Sequence, residues 1–366
     1  MFFLLSLCAF FISSTFAIFT IPWILKIAHR HFLYDIPNER KLHKNPVPRL
    51  GGLAFFYCIL FSMLSIFIIA HQFMDTVEQY VFSNSFFLCA LLLLHIGGLK
   101  DDLIGVLYRH KFLLQIASSL LIVFSGLYIN HFYGLFSIEA IPAWMGVPLT
   151  VLAIVFIINA INLIDGIDGL SSGISIIALL IYGTLFLMQD EWYYAILAFS
   201  SLGVLCIFFC YNVFGSIANK QKLFMGDSGS MMIGLILSVM VIKYMHYAPH
   251  SVKPFGDTLV MAISPILVPA LDVLRVMLSR IRRRKHLFTA DRSHIHHKLI
   301  DMGLGKTKAL LFLLGVSCGF CLINFLLVPL FSTLAIFIFD GALWISGNMY
   351  LTFRIKKSKV PILAHI

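Results

Sequence analysis

Five stretches of the chain hold most of the residues that can do chemistry. Gly97-Gly98-Leu99-Lys100-Asp101-Asp102-Leu103-Ile104-Gly105 places two adjacent carboxylates at the end of an apolar run. Such a pair is costly there unless a divalent cation or a proton from a reactant compensates it; an exposed loop pair is the plain alternative. Asn159-Ala160-Ile161-Asn162-Leu163-Ile164-Asp165-Gly166-Ile167-Asp168-Gly169-Leu170 repeats amides and carboxylates at three-residue steps, which on a helix share one face. These are hard oxygen donors, suited to Mg²⁺ and to a polar small molecule, and the glycines let a ligand approach the backbone. Leu223-Phe224-Met225-Gly226-Asp227-Ser228-Gly229-Ser230 brackets one acid with glycines just before an apolar run. Asp227 or Ser228 could cap a helix there, or the helix N-terminus could hold a phosphate.

The fourth stretch, Asp291-Arg292-Ser293-His294-Ile295-His296-His297, follows Arg280, Arg282, Arg283, Arg284 and Lys285. Three histidines raise zinc, but no cysteine lies near, and Arg with His suits a diphosphate better. Contact with anionic lipid is the bland alternative. The fifth runs from Asp35 to Gly52; prolines stiffen it as an extended loop, and Arg40, Lys41, Lys44 and Arg49 line it. None of the five resembles a P-loop, a nucleophile elbow or a catalytic triad. Acids, amides, cations and glycines together suit phosphoryl transfer with a metal ion, where positioning and charge neutralisation do most of the work.

The elements that must position these residues are membrane helices. Of 366 residues, 60% are hydrophobic and 12% charged, and the mean hydropathy is +0.94. A soluble domain averages about 25% charged residues, so lipid must be the solvent for most of this surface. The apolar runs are long rather than alternating, which selects helices over a barrel. The expectation is an all-α polytopic membrane protein of one domain with about ten or eleven spans. They fall near 3–27, 51–70, 84–100, 111–130, 148–165, 172–189, 192–211, 229–246, 257–279, 308–328 and 331–353. The first is read as a retained helix rather than a signal peptide, because no basic residue precedes it and it is long enough to span. Pro265 and Pro269 predict a kink in the ninth. The seven cysteines sit in apolar runs and read as packing residues, Cys318-x-x-Cys321 included.

Of the 27 Lys and Arg residues, all but Lys243 and Lys253 lie in or beside one set of connections: 28–50, 101–110, 166–171, 212–228, 280–307 and the tail. By the positive-inside rule this set is cytoplasmic, the N-terminus outside and the C-terminus inside. All five stretches open onto that face and would form the active site. Asp75, Glu78, Glu139, Asp190, Glu191 and Asp257 fall on the other face as solvated charges. Asp340 lies inside the last span, as a functional acid or a hydrogen-bond partner of a neighbouring helix. The net charge of +10 follows from topology, although it also attracts anionic lipids and phosphorylated substrates. Nucleic acid is excluded as a partner, since nothing supplies a soluble binding module.

In order, from about Asp35 to His297, the five stretches resemble the polyprenyl-phosphate N-acetylhexosamine-1-phosphate transferases. The His294-Ile295-His296-His297 run is similar to the bacterial branch that transfers N-acetylglucosamine 1-phosphate, as in O-antigen and teichoic-acid linkage synthesis. The branch acting on UDP-MurNAc-pentapeptide carries a different histidine cluster. The resemblance implies a UDP-N-acetylhexosamine and undecaprenyl phosphate as substrates, Mg²⁺ (or Mn²⁺) as cofactor, a bacterial plasma membrane location and a homodimer. It implies Asp227 and Asn162 as metal ligands, and Asp101 and Asp102 as the acidic pair beside the reacting phosphates. Lys111 would bind phosphate, Asp168 and Phe224 the uracil, and Arg292, His294, His296 and His297 the diphosphate and sugar. Asp165 joins the catalytic acids; Arg49, Lys41 and Asn159 join the substrate-binding residues. A transporter of an anionic lipid-linked sugar is the competing class, but it should place its polar groups near the midplane.

Overall fold

A computed structural model describes residues 1–35, 45–73, 77–246, 257–284 and 293–359. The elements in order are α1 (Phe2–Arg30), β1 (Tyr34–Asp35), β2 (Val47–Pro48), α2 (Gly51–His71), α3 (Val77–Ser83), α4 (Ser85–Ile104) and α5 (Tyr108–Phe124). There follow α6 (Ala143–Ile164), α7 (Leu170–Leu187), α8 (Trp192–Phe214), α9 (Gly226–Met245), α10 (Thr258–Ile263) and α11 (Leu267–Arg282). Last come α12 (Ile295–Asp301), α13 (Lys306–Leu327) and α14 (Thr333–Lys359). Lipid offers no hydrogen bonds to a bare backbone, so long apolar runs close their own bonds as helices.

Helices stand at all eleven expected spans, with the ninth divided. Among the described residues nine are long and apolar enough to cross a membrane. The two that fall short are α4, whose C-terminal end carries Lys100, Asp101 and Asp102, and α5, which has 17 residues and opens on Arg109, His110 and Lys111. The division of the ninth lies at Pro265: α10 stops, a 3₁₀ turn covers Ser264–Ile266, and α11 restarts. Pro269 falls in the first turn of α11, where its missing N–H has no intrahelical partner to lose.

The bundle is built around α9, which is buried along almost its whole length and packs against α2, α4, α6 and α7. Close approach at its N-terminus depends on glycine. A Cβ on Gly52 of α2 would lie 2.0 Å from the Gly229 nitrogen, and one on Gly98 of α4 would lie 2.4 Å from Ser228 Cα. Backbone therefore meets backbone where α2, α4 and α9 converge. The segment before α2 adds to this: the Phe224 N–H donates to Pro48 O, and the Gly51 and Gly52 N–H groups donate to Phe224 O and Met225 O, at 2.8–2.9 Å. A smaller apolar cluster joins the start of α7 to α11, α12, α13 and α14.

Two acids outside the five stretches take structural roles, one of them against expectation. Asp257 is no solvated loop charge: it caps α10, accepting from the Leu259 and Val260 N–H groups at 3.0 and 3.2 Å. Asp340 takes the structural role rather than a place in the site. Asn324 of α13 donates to Asp340 at 2.9 Å and to Ser264 at 2.8 Å, tying α13 and α14 to the break after α10. Asp75 lies outside the described residues.

Candidate active site

The ends of α4, α5, α6 and α9 meet around Asp227. Arg49 lies between them, with its guanidinium 2.9 Å from Asp227, 3.1 Å from Asp102, 3.5 Å from Asp35 and 3.6 Å from Asp101. Lys111 bridges Asp101 and Asp227 at 2.6 and 2.9 Å. Asn162 of α6 donates to the other Asp227 oxygen at 2.6 Å and to Ser230 at 2.7 Å. Two cations and an amide thus converge on one carboxylate in the first turn of α9.

The adjacent pair divides its labour. Asp102 has a side chain that is 0% exposed. It accepts from the Asp227 N–H at 2.7 Å, the Ser228 N–H at 3.0 Å and the Ser228 hydroxyl at 2.6 Å. It caps α9 from another helix, so neither Asp227 nor Ser228 is the cap, and its oxygens face the first turn of α9 and Arg49. Burial and the Asp227 charge push Asp102 up to about 6. Asp101 is also buried; it accepts the Val106 N–H at 2.7 Å and faces Lys111. Burial and Asp227 push its carboxyl up as well.

A cavity of about 350 Å³ opens beside this cluster, lined by Arg49, Asn162, Asp165, Asp168, Phe224 and Asp227, and also by Asp35, Asn212, His297 and Lys306. A nucleotide-sized ligand fits such a volume. Asp165 closes α6 at the cavity wall with its side chain open to the cavity; the desolvating protein around it, then the charges of Asp227, Asp168 and Asp102, push it up to about 7. Asp168 pairs with Lys222 at 2.9 Å. Asn212 fixes the loop below, accepting the Gly169 N–H at 2.6 Å and donating to Leu223 O at 2.8 Å.

The histidine run is partly buried. Asp272 of α11 accepts from His294 at 2.8 Å and from the Ile295 N–H at 3.1 Å, while Arg275 braces it at 2.7 Å. His296 packs on Gly166, where a Cβ would lie 2.0 Å from its Nε2. Burial and the other two histidines push His296 down to about 3, so it stays neutral. Of the three, His297 lines the cavity.

The structure thus brings together Arg49, Asp101, Lys111, Asn162, Asp165, Asp168, Phe224, Asp227 and His297, with Asp102, His294 and His296 behind them. Asn159 is turned away, and this corrects its expected place: it donates to Gln115 at 2.7 Å and to Val155 O at 2.7 Å, between α5 and α6. Lys41 and Arg292 lie outside the described residues. Asp35, Asn212, Lys222, Asp272 and Lys306 were missed. Asn212 closing an apolar span, and Asp272 three residues before Arg275 inside one, were the available signals.

Asp101, Asp102 and Asp227 bring carboxylate oxygens within 4.8 Å of one another, a set able to hold a metal ion. Because Asp102 already accepts four donors, the freer ligands are Asp227, Asp101 and, with its amide turned, Asn162. All are hard oxygen donors, which fits a hard divalent cation.

Residues 84–245 match the family described as "Glycosyl transferase family 4". The chain is 31% identical over 339 residues, 92% of its length and 86% of the relative's, to a Bacillus subtilis (strain 168) protein named "Probable undecaprenyl-phosphate N-acetylglucosaminyl 1-phosphate transferase". It is 28% identical over 287 residues to the "Undecaprenyl-phosphate alpha-N-acetylglucosaminyl 1-phosphate transferase" of Escherichia coli (strain K12), covering 78% of this chain and 73% of that one. The Yersinia pestis protein of the same name is 26% identical over 78% of this chain and 74% of its own. The bundle and its polar helix ends define a multi-pass membrane enzyme. The chain belongs to glycosyl transferase family 4.

Proposed function

We propose that the protein transfers N-acetylglucosamine 1-phosphate from its UDP-sugar to undecaprenyl phosphate, releasing UMP, on the cytoplasmic face of a bacterial plasma membrane. The observation that carries this reading is the convergence of Arg49, Lys111 and Asn162 on Asp227 at a helix end bordering the cavity. The printed names of the relatives supply the sugar and the lipid. The basic connections supply the face.

An oxygen of the lipid phosphate bonds to the sugar-bearing phosphorus, and that phosphorus releases the oxygen it shares with UMP. Anions must be pressed together, and at ~4 Å each pair of unit charges costs ~4 kcal/mol at an effective dielectric near ~20. Arg49 and Lys111 offset this repulsion; in the free protein Asp227 and its neighbours keep both cations oriented. Asp227, Asn162 and Asp101 would hold Mg²⁺ (or Mn²⁺), which when bound neutralises diphosphate charge. A phosphate monoester has a second pKa near ~6, so the acceptor arrives mostly as a dianion. Asp101 therefore has no need to act as a strong base and serves to hold Lys111. Phe224 and Asp168, on the cavity wall, receive the uracil, and His297 faces the diphosphate and sugar.

The test is incorporation of labelled sugar from a panel of UDP-sugars into butanol-extractable lipid by purified protein and undecaprenyl phosphate. Transfer from UDP-N-acetylglucosamine, dependent on Mg²⁺ and lost in Asp227→Ala, is expected. No transfer from any UDP-N-acetylhexosamine would refute the reading.

A further inference from the structure

A second cavity, of about 420 Å³, lies between α12, α13 and α14, away from the acidic cluster. Its walls are almost wholly apolar, with Phe312, Phe320 and Leu343 among them. Gly319 and Gly347 open it further, since a Cβ on either would meet nothing within 4 Å. Two polar features break the apolar lining. Trp344 lines the cavity, is 7% exposed, and has an indole N–H with no acceptor among the described residues. One turn on, ~6 Å along the helix, Asn348 also lines it, and Lys298 of α12 reaches the Asn348 oxygen at 3.3 Å and the Thr352 hydroxyl at 3.2 Å.

Lys298 forms no ion pair with an acid among the described residues. Burial, and the charges of Arg275 and Arg283 opposed in part by Asp272, push its ammonium down to about 8. The cavity is thus graded: apolar at depth, an unused donor at Trp344, then net positive charge at Lys298 toward the basic C-terminal end of α14. That order matches a glycerophospholipid, with acyl chain, ester carbonyl and phosphate in sequence. A polyprenyl phosphate has no oxygen at the depth of Trp344.

We infer that this cavity is a binding site for an anionic glycerophospholipid, seated with its phosphate on Lys298, an ester carbonyl on the Trp344 N–H and an acyl chain between α13 and α14. The site has a route to the catalytic face. Lys298 follows His296 and His297 on the short helix that His294 caps, so a lipid that fixes Lys298 against α14 also fixes the histidine run against Gly166. The membrane's anionic lipid content then sets how well that run is held.

Native mass spectrometry of the full chain, released from nanodiscs of phosphatidylcholine with increasing phosphatidylglycerol, reads binding without any assay of transfer. Saturable retention of one phosphatidylglycerol per chain is expected. Lys298→Gln and Trp344→Phe should each weaken it by about tenfold, the loss of one charge-assisted or buried hydrogen bond, and Gly347→Leu should abolish it by filling the cavity. Lys26→Gln, an equal charge change on an exposed residue of α1, should leave it intact. Equal retention of phosphatidylcholine, an equal loss in Lys26→Gln, or displacement of the lipid by undecaprenyl phosphate would each overturn the assignment.

Discussion

The assignment of Asp102 to a helix cap can be tested against a direct role in the reaction. Asp102→Ala removes the acceptor of the Asp227 and Ser228 N–H groups, of the Ser228 hydroxyl and of one Arg49 contact. Loss of a cap alone costs ~1–2 kcal/mol. Each buried donor left unpaired adds ~1–3 kcal/mol. The losses overlap, and ~3–5 kcal/mol is the usual cost of breaking a buried charged pair. At this chain length ~1–2 °C per kcal/mol follows from the size scaling, a fall in Tm of ~5 °C. Asp102→Asn should cost less, ~1–2 kcal/mol, because one oxygen still accepts and no charge is buried. Since α9 carries Asp227, a shift of ~1 Å at its first turn should also lower turnover by ~10²-fold. Asp101→Asn should lose turnover with a smaller change in Tm, because its remaining oxygen can keep the Val106 N–H. The assay is thermal unfolding of the purified chain beside UMP release for each variant. Asp102→Ala with unchanged Tm and turnover lost as selectively as in Asp101→Asn would show that Asp102 acts on the reactants, and the capping argument would fail.

Arg49→Lys should behave as a severe change: a single ammonium cannot reach Asp35, Asp102 and Asp227 together, and loss of such a preorganised contact lowers kcat by ~10²-fold or more, read from UMP release at saturating substrate. Gly166→Ala should displace His296 and with it α12, lowering turnover while the chain still inserts and purifies; wild-type activity would disprove the packing of His296 on that loop. Asp165 has a folded pKa raised to about 7, so ionising it costs stability that is fully retained below the ordinary carboxylate range and is lost as pH rises through 7. Asp165→Asn should therefore raise Tm at pH 8 relative to wild type and change it little at pH 4, both without added divalent cation.

Much of the fold was legible because each span states itself locally: twenty apolar residues need no distant partner to read as a membrane helix. Pro265 stated its break in the same way. The acids and amides of the site were legible for the opposite reason, since they are expensive at a span end without a use. What stayed hidden is the meeting of one helix end with another. Asp102 and Asp227 lie 125 residues apart, and nothing in their neighbourhoods says that one caps the other's helix. Asn159 shares its helical face with Asn162, but one turn deeper that face meets Gln115 instead of the cavity. Asp272 was concealed inside an apolar span, and only the fold shows it holding His294.

The convergence of Gly52, Gly98 and the first turn of α9 bears on how such an enzyme can diversify. Where main chain abuts main chain there is no rotamer to change and no volume to trade, so the footing under Asp227 is a fixed datum shared by whatever donors the site accepts. Even an alanine there would have to lift α9, and with it the carboxylate on which Arg49 and Lys111 converge. On the proposed function, variation in the sugar handled is expected in the side chains that line the cavity, His297 and Lys306 among them. Recombining those lining parts between relatives, with the glycines untouched, is the route by which one donor sugar could be exchanged for another.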